Sequence, residues 1–249
     1  MSWVRKGPLV KAAATLSASW AGQVRAVVGV AEGKQGHRMI GELYEQALTG
    51  STVPEIEHAD GTASPLPVHR WLHAAPGDDS VLDRCAGPTL DVGAGPGRLT
   101  VALAERGIPA LAIDITPYAV ALARSSGALA LQRDVFGRLP GTGRWETVLL
   151  ADGNIGIGGD PAALLRRARD LLAPHGAVVA EAGPPGLETR CEQVRLRNAD
   201  GSGPWFPWAW VGADQLGALA ATAGLRAAER WDCAGRWFAR LSRADAEPA

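Results

Sequence analysis

The decapeptide LDVGAGPGRL, residues 90–99, decides the fold, because it joins a predicted strand to a predicted helix through a loop that holds three glycines. Gly93, Gly95 and Gly97 have no Cβ, so they permit a tight turn and let backbone N–H groups come close to a ligand. The N-terminus of the following helix favours an anionic group. This loop is therefore the first candidate for a cofactor site.

The spacing of the three glycines distinguishes between classes of cofactor. A dinucleotide fingerprint G-x-G-x-x-G that starts at Gly93 needs its third glycine at position 98, which is Arg98. The glycines instead run G-x-G-x-G and follow Asp91 at the end of the predicted strand. This spacing disfavours a nucleotide-cofactor oxidoreductase, which is kept as an alternative that the mass of a bound ligand would decide.

Outward from the loop, short apolar runs alternate with helical patterns. Strands are predicted at 88–93, 109–114, 128–134, 146–152 and 176–182, and helices at 97–107, 116–127 and 160–176. Two runs near the C-terminus, 225–233 and 235–243, predict an antiparallel strand pair. The expected fold is α/β: a doubly wound, mostly parallel seven-stranded sheet with helices on both faces and an antiparallel C-terminal strand pair.

With these elements in place, the chain resembles the class I, Rossmann-like methyltransferases that depend on S-adenosylmethionine (SAM). Their first motif, acid-x-G-x-G-x-G, matches Asp91 to Gly97, and the resemblance extends over roughly residues 88–182. It implies that the glycine loop lies against the methionine part of SAM. It also implies that Asp114, after the second strand, binds the ribose hydroxyls and that Asp134, after the third, accepts from the adenine amino group.

The resemblance therefore implies SAM as cofactor and S-adenosyl-L-homocysteine (SAH) as product. Apolar walls for the adenine ring are expected from residues such as Ile115 and Phe136. Arg70, before the first motif, is expected to pair with the SAM carboxylate. The predicted cofactor-binding set is Tyr44, Arg70, Asp91, Gly93, Ala94, Gly95, Gly97, Asp114, Ile115, Asp134, Val135 and Asp152.

Candidate catalytic and substrate residues follow the fourth and fifth strands. Asp152 is a candidate base or substrate acceptor and Asn154 a candidate substrate contact, although a turn aspartate that caps a glycine-rich loop explains Asp152 equally simply. His69 is a second candidate base. Trp205 and Trp208, in an aromatic stretch, are candidate walls for the acceptor or members of a small separate core.

Composition and local motifs exclude several classes. The formal net charge is -1 and the basic residues are scattered, so no nucleic-acid partner is expected. The sequence Asp152-Gly153-Asn154-Ile155 also departs from the [Asp/Asn]-Pro-Pro-aromatic motif of nucleic-acid amino-methyltransferases. No apolar run reaches the ~20 residues of a membrane span. Three separated cysteines suggest neither disulfides nor a metal site, and they favour a reducing, cytoplasmic location.

The domain prediction separates a basic N-terminal arm or leader, residues 1–36, from a SAM-binding domain, residues 37–249. Within the latter, residues 37–87 are expected to form a helical lid and residues 188–211 a substrate-side insertion. The expected function is transfer of a methyl group to a small-molecule acceptor, in bacterial biosynthetic or tailoring metabolism, by a monomer or homodimer. The alternative is a SAM-binding sensor or partner subunit without catalysis.

Overall fold

The computed structural model describes residues 35–50 and 54–244. The predicted N-terminal arm, residues 1–36, lies outside the described residues except for its last two positions, which begin the first helix. That helix, α1, spans Gln35–Leu48. Its residues Ala47 and Leu48 are buried against Val68 and Ala119.

A seven-stranded sheet forms the centre of the chain and confirms the predicted fold class. Its spatial order is β11-β12-β7-β6-β3-β4-β5, in which the five strands from β7 to β5 are parallel and β12 pairs antiparallel with both β7 and β11. The strands are β3 (Thr89–Val92), β4 (Ala110–Asp114), β5 (Ala130–Gln132), β6 (Trp145–Leu150), β7 (Leu172–Ala182), β11 (Leu225–Cys233) and β12 (Arg236–Arg243).

Helices cover both faces of this sheet because neighbouring strand residues point to opposite sides. Val148 and Leu150 pack on one side with Leu164 of the helix Pro161–Leu171. Leu149 packs on the other side with Leu103 of the helix Arg98–Glu105. The helices after α1 are α2 (His69–Leu72), α3 (Asp78–Leu82), α4 (Arg98–Glu105), α5 (Pro117–Ser125), α6 (Pro161–Leu171) and α7 (Leu216–Thr222).

The end of α6 differs from the sequence expectation, which continued this helix to about Pro174. The helix ends at Leu171, and β7 already begins at Leu172, where it pairs with Trp145. Trp145 is fully buried. Its pairing with Leu172 stabilises extended backbone where helical spacing alone would continue the helix.

A second, antiparallel sheet was not predicted as such, and we call it the cover sheet. Its order is β10-β8-β1-β2, with β9 paired to β8. Residues 37–87, expected to form a helical lid, supply two of its strands, and the predicted insertion 188–211 supplies the other three. The strands are β1 (Glu55–His58), β2 (Ala63–Pro65), β8 (Arg190–Asn198), β9 (Gly201–Ser202) and β10 (Phe206–Trp210).

Candidate active site

A cavity of about 690 Å³ lies between the carboxyl ends of the parallel strands and the cover sheet. Its polar end is formed by the segments that follow β3, β4, β5 and β6. Its apolar end is formed by the cover sheet and by Tyr44, Leu66 and Trp71. In parallel α/β sheets ligands bind at this edge, and the volume lies within the range of small-molecule sites.

The glycine loop lies at the polar end, and its glycines have two different functions. Gly93 and Gly95 line the cavity with positive φ angles of 67° and 55°. Gly97 does not line it: a Cβ there would lie 2.8 Å from Cβ of Ala123 in α5. The first two glycines thus leave room at the cavity, whereas the third permits close packing of two helices.

Asp91 lies beneath this loop and is 2% exposed. Oγ1 of Thr100 donates a 2.6 Å hydrogen bond to Asp91 Oδ2. Burial raises the pKa of the Asp91 carboxyl to about 6, although the Thr100 hydrogen bond opposes the shift. The first acid of the motif is therefore poised between its charged and neutral forms near neutral pH.

Asp114, at the end of β4, is held by two backbone N–H groups. Gly95 N–H donates to Oδ2 at 3.0 Å and Thr116 N–H donates to Oδ1 at 2.8 Å. Burial raises the pKa of this carboxyl, while the two backbone donors work against the rise. A carboxylate oxygen accepts about two hydrogen bonds, so each Asp114 oxygen keeps capacity for a ligand hydroxyl.

The next strand end supplies the residues expected around adenine. Ile115, Asp134, Val135 and Phe136 all line the cavity. One oxygen of the Asp134 carboxylate, Oδ1, accepts a 2.9 Å hydrogen bond from the nearby Phe136 N–H. Phe136 is 44% exposed, which leaves one side of its ring open to a planar ligand.

A buried ionic cluster borders the same end of the cavity. Arg98 donates to both Asp78 and Asp152, the latter at 2.6 Å. Arg236 donates to Asp78 at 2.8 Å and to Glu181 at 2.9 and 2.7 Å, with a longer 3.3 Å contact to Asp152. The cluster therefore holds three carboxylates and two guanidinium groups.

The cluster fixes the chain at Asp152, which adopts a left-handed conformation with φ 54°. Its N–H donates to Glu181 Oε2 at 2.7 Å. Burial raises the pKa of Asp152, the nearby Arg98 charge lowers it and Glu181 raises it further. Both Asp152 carboxylate oxygens accept hydrogen bonds from guanidinium groups, so the side chain is held in place as part of an ion-pair network.

Asn154 connects the segment after β6 to the glycine loop. Its Nδ2 donates to the carbonyl oxygens of Val92 and Gly93 at 2.9 and 3.0 Å. Asn154 also lines the cavity. Its amide hydrogens are used to hold two loops together, which leaves the side-chain oxygen as the group available to a substrate.

Three other predicted residues precede the glycine loop in the chain, and two of them reach the cavity. Tyr44 and Arg70 both line the cavity, and Tyr44 lies beside Trp71 with ring centroids 5.8 Å apart. Burial, reinforced by the charges of Asp114 and Asp152, raises the pKa of Tyr44 well above its usual value, so its hydroxyl stays protonated. His69 is exposed on α2 and is not among the cavity-lining residues.

The two predicted tryptophans separate in the structure. Trp208 lines the cavity, and its strand bridges to Ile157 in the segment after β6. Trp205 is 43% exposed, is absent from the cavity lining and packs its ring against the Arg195 guanidinium at 4.7 Å. The structure thus brings only one of them to the site.

Sequence reasoning missed Arg236, Glu181 and Asp78 as neighbours of the site. They come from β12, β7 and α3, and Arg236 lies 158 residues from Asp78 in the chain. No local spacing indicates such a contact. The available signal was Glu181, a charged residue in the otherwise apolar run 177–182, since buried charges are normally paired.

The part of the chain that the structure describes has neither a membrane-spanning helix nor a cluster of metal-binding side chains. None of its helices is both long and apolar enough to cross a membrane. Within residues 35–50 and 54–244, no group of three or more histidine, cysteine or acidic side chains is arranged to hold a metal ion.

Comparisons with known proteins agree with this geometry. Residues 89–176 match a family model described as a methyltransferase domain. No curated protein sequence matches the chain. A SAM-dependent methyltransferase from Bacteroides fragilis, solved with SAH, superposes with a TM-score of 0.70 at 22% identity, covering 86% of this chain and 98% of that one.

Two other solved structures share the fold. The CcbJ methyltransferase from Streptomyces caelestis has a TM-score of 0.57 at 18% identity, with 84% of this chain and 99% of that chain covered. The 1,6-didemethyltoxoflavin-N1-methyltransferase from Burkholderia thailandensis has a TM-score of 0.53 at 17% identity, with 86% and 92% covered. These likenesses confirm the Rossmann-like methyltransferase fold.

Proposed function

We propose that this chain, which carries a methyltransferase domain over residues 89–176 within a class I fold, is a SAM-dependent methyltransferase of a small-molecule acceptor. One observation carries the proposal. The glycine loop with Asp91, the Asp114 carboxylate at the end of β4 and residues 134–136 after β5 line one cavity. Its opposite wall is the apolar part of the cover sheet's inner face. A cofactor and an acceptor can therefore meet in a space largely removed from water.

The described residues fit SAM. Asp91, Gly93 and Gly95 would lie against its methionine part, and a Cβ at Gly95 would lie only 3.0 Å from the Tyr44 hydroxyl. Asp114 would accept from the ribose hydroxyls. Asp134, Val135 and Ile115 would surround the adenine. When bound, SAM supplies an activated methyl group on a sulfonium centre.

The protein's own contribution to the reaction is positioning and exclusion of water. In-line transfer of an activated methyl group requires mainly that donor and nucleophile are aligned and desolvated. Asp152 is held between two guanidinium groups, and we assign it to fixing the segment after β6 and balancing charge. We do not assign proton abstraction to His69, because its side chain is exposed on α2 and lies outside the cavity lining.

A small acceptor is favoured by the volume of the cavity, about 690 Å³, which lies within the range of small-molecule sites. The Burkholderia thailandensis structure, which shares the fold, was solved with 1,6-didemethyltoxoflavin and SAH bound, so this architecture holds a small heterocycle together with the cofactor product in that protein. The bacterial tailoring role, the cytoplasmic location and the monomeric or homodimeric state stay predictions.

A SAM-binding protein without catalysis is the second candidate. The observation that favours it concerns the described cavity-lining residues, in which Asp152 and Glu181 are paired with arginines and the Tyr44 hydroxyl stays protonated. A transferase for an acceptor that needs no base has the same features, so activity must decide between the two.

The experiment has two stages. Calorimetric titration of the protein with SAM, SAH and NADH should show micromolar binding of the first two and none of the third. Transfer of labelled methyl from SAM to a panel of small phenols, amines and heterocycles should then give product. Failure of the folded protein to bind SAM would overturn the proposal, and SAM binding without transfer to any acceptor class would favour the second candidate.

A further inference from the structure

We propose that the acceptor is an apolar molecule of ring size that binds to the inner face of the cover sheet in its uncharged form. This inference rests on the proposed function and specifies its substrate class. The two faces of the cover sheet carry different side chains, because successive side chains of a strand point to opposite sides.

The outer face of the cover sheet carries two ion pairs that join β1 to β8. Glu57 and Arg195 are direct cross-strand partners joined by two 3.0 Å hydrogen bonds, and Glu55 and Arg197 form the neighbouring pair at 2.9 Å. These pairs hold β1 against β8 from outside.

The inner face is apolar where it lines the cavity. His58, Arg190 and Glu192 share this face by register but lie outside the cavity lining, where Glu192 pairs with His58 at 3.1 Å and Arg190 packs on the Trp210 ring. Ile56, Val194 and Leu196 alternate with the charged positions and line the cavity, and β10 adds the rings of Phe206, Trp208 and Trp210. Every cavity-lining residue that the described strands of the cover sheet contribute is uncharged. Flat aromatic and branched aliphatic walls of this kind favour planar apolar ligands.

Two of the carboxylates that line the cavity, Glu181 and Asp152, are paired with arginines, and the other three, Asp91, Asp114 and Asp134, are those that the proposed function assigns to SAM. Both oxygens of Glu181 accept from Arg236, and Asp152 lies between Arg236 and Arg98. Neither carboxylate is left to pair with an ammonium acceptor. Arg70 is the cavity-lining cation on the apolar side, and its side chain is exposed at the edge.

A charged acceptor would therefore lose its hydration without gaining a partner. Transfer of an unpaired ion into an apolar site costs far more than transfer of the neutral form, so an ionisable ligand binds there in its neutral state. An amine would enter as the free base and a hydroxyl as the neutral alcohol or phenol. The aromatic walls could still attract a cation through their ring faces, so a cationic probe belongs in the test.

Three probes that share a naphthalene ring separate these possibilities: 2-naphthol, which is neutral at pH 7, 2-naphthoate and 2-naphthylmethylammonium. Each is titrated into protein saturated with SAH. We expect 2-naphthol to bind at least about tenfold more tightly than either ion, because only the ions lose hydration without a partner. Equal or tighter binding of either ion, or no binding of any probe, would overturn the inference.

A matched pair of variants locates the binding face. Ile56→Lys places a cation on the inner face and should weaken 2-naphthol while favouring 2-naphthoate. Gln193→Lys adds the same charge at an exposed position of β8 and should leave the order of the probes unchanged. Identical probe orders in both variants would contradict the assignment to the inner face.

SAH binding keeps this inference separate from the proposed function. If the folded wild-type protein does not bind SAH, the proposed function fails and the probe titration has no cofactor complex to act on. If SAH binds and the probes follow the wrong order, only the acceptor class fails. Should Ile56→Lys lose its fold, judged by loss of SAH binding, the order of the three probes on the wild-type protein still decides.

Discussion

Thr100 donates its hydroxyl hydrogen to the carboxyl group of Asp91 at 2.6 Å, and both residues are almost completely buried. This bond links the first turn of α4 to the last part of β3, directly beneath the glycine loop. Burial nevertheless raises the pKa of Asp91 to about 6. The loop that would hold the methionine part of SAM is thus supported by a group whose charge changes close to neutral pH.

The first prediction concerns the pH dependence of SAM binding. The ammonium group of SAM should favour the charged form of Asp91, so affinity should rise as the pH increases through about 6. Asp91→Asn keeps the shape and an acceptor for Thr100 and should remove this part of the slope. Calorimetry between pH 5 and pH 8, in buffers of different ionisation enthalpy, measures both affinity and proton release. An unchanged slope in the variant would remove Asp91 from this role.

The same group affects the stability of the unliganded protein. Its folded-state pKa lies above its unfolded value, so the stabilisation is complete below about pH 4 and is lost as the pH rises through about 6. The shift corresponds to about 3 kcal/mol. We expect the difference in free energy of unfolding between wild type and Asp91→Asn to change in this window, as measured by urea denaturation at pH 4.5 and 7.5.

The second prediction concerns Asp114. Asp114→Ala should reduce SAM affinity by about 100-fold or more, because two hydrogen bonds from ribose hydroxyls to a carboxylate contribute about 1.5 to 3 kcal/mol each. The backbone N–H groups of Gly95 and Thr116 lose their acceptor at the same time. Glu105→Ala, at an exposed position of α4, serves as the control. Affinity near that of wild type would contradict the placement of the ribose.

These two acids and the glycine loop were predictable because their signal is local. Asp91, Gly93 and Gly95 occur within a few residues of one strand end, and the alternation of elements places Asp114 at the neighbouring strand end. The parallel sheet then brings the strand ends together without further information. The same reasoning gave the C-terminal strand pair, in which Ala234 and Gly235 separate two strand-like runs.

The third prediction separates packing from ligand binding within the loop. Gly97→Ala should lower the free energy of unfolding by about 2 to 4 kcal/mol, from backbone strain at a φ angle of 84° and a clash with Ala123. Gly107→Ala is the matched control, because its φ angle is 77° but no atom lies within 4 Å of the added Cβ. It should cost only the strain, about 1 to 2 kcal/mol. Equal losses in the two variants would argue against helix packing at Gly97.

The fourth prediction tests the ionic cluster. Arg236→Ala should destabilise the protein by about 3 to 5 kcal/mol, because buried Glu181 would lose the guanidinium that it pairs with, and Asp78 and Asp152 would keep only Arg98. Arg166→Ala, on the exposed side of α6, should change stability by no more than about 0.5 kcal/mol. Denaturant midpoints compare the two. A loss at Arg236 as small as that at Arg166 would show that the cluster does not stabilise the fold.

The fifth prediction concerns the connection between two loops. Asn154→Asp would replace an amide that donates to the carbonyl oxygens of Val92 and Gly93 with a carboxylate that repels them. We expect a stability loss of about 1 to 3 kcal/mol that shrinks at acidic pH, where the new carboxyl is protonated and can donate again. Thermal melts at pH 4 and pH 8 test this. A loss that does not depend on pH would exclude the repulsion as its cause.

The cover sheet and the ionic cluster could not be derived in the same way. β1 contains four residues, three of them Glu55, Glu57 and His58, so its sequence has the composition of a loop. It becomes a strand because β8, far along the chain, offers arginines at the matching positions. The position of Trp205 outside the cavity lining was not predictable for a related reason, since an aromatic run does not reveal which of its residues point inward.

The distance between the two halves of the cover sheet has a consequence for how the chain reaches its native state. Glu57 and Arg195 are 138 residues apart, and the five parallel strands of the large sheet lie between them. Those strands complete their pairing through short crossovers, whereas β1 must wait for β8 to emerge from the ribosome. During synthesis the large sheet, with the proposed cofactor loop, can therefore assemble before the cover sheet. Until β8 emerges, the edge of β1 opposite β2 stays unpaired, and the charges of Glu55 and Glu57 discourage its association with other chains.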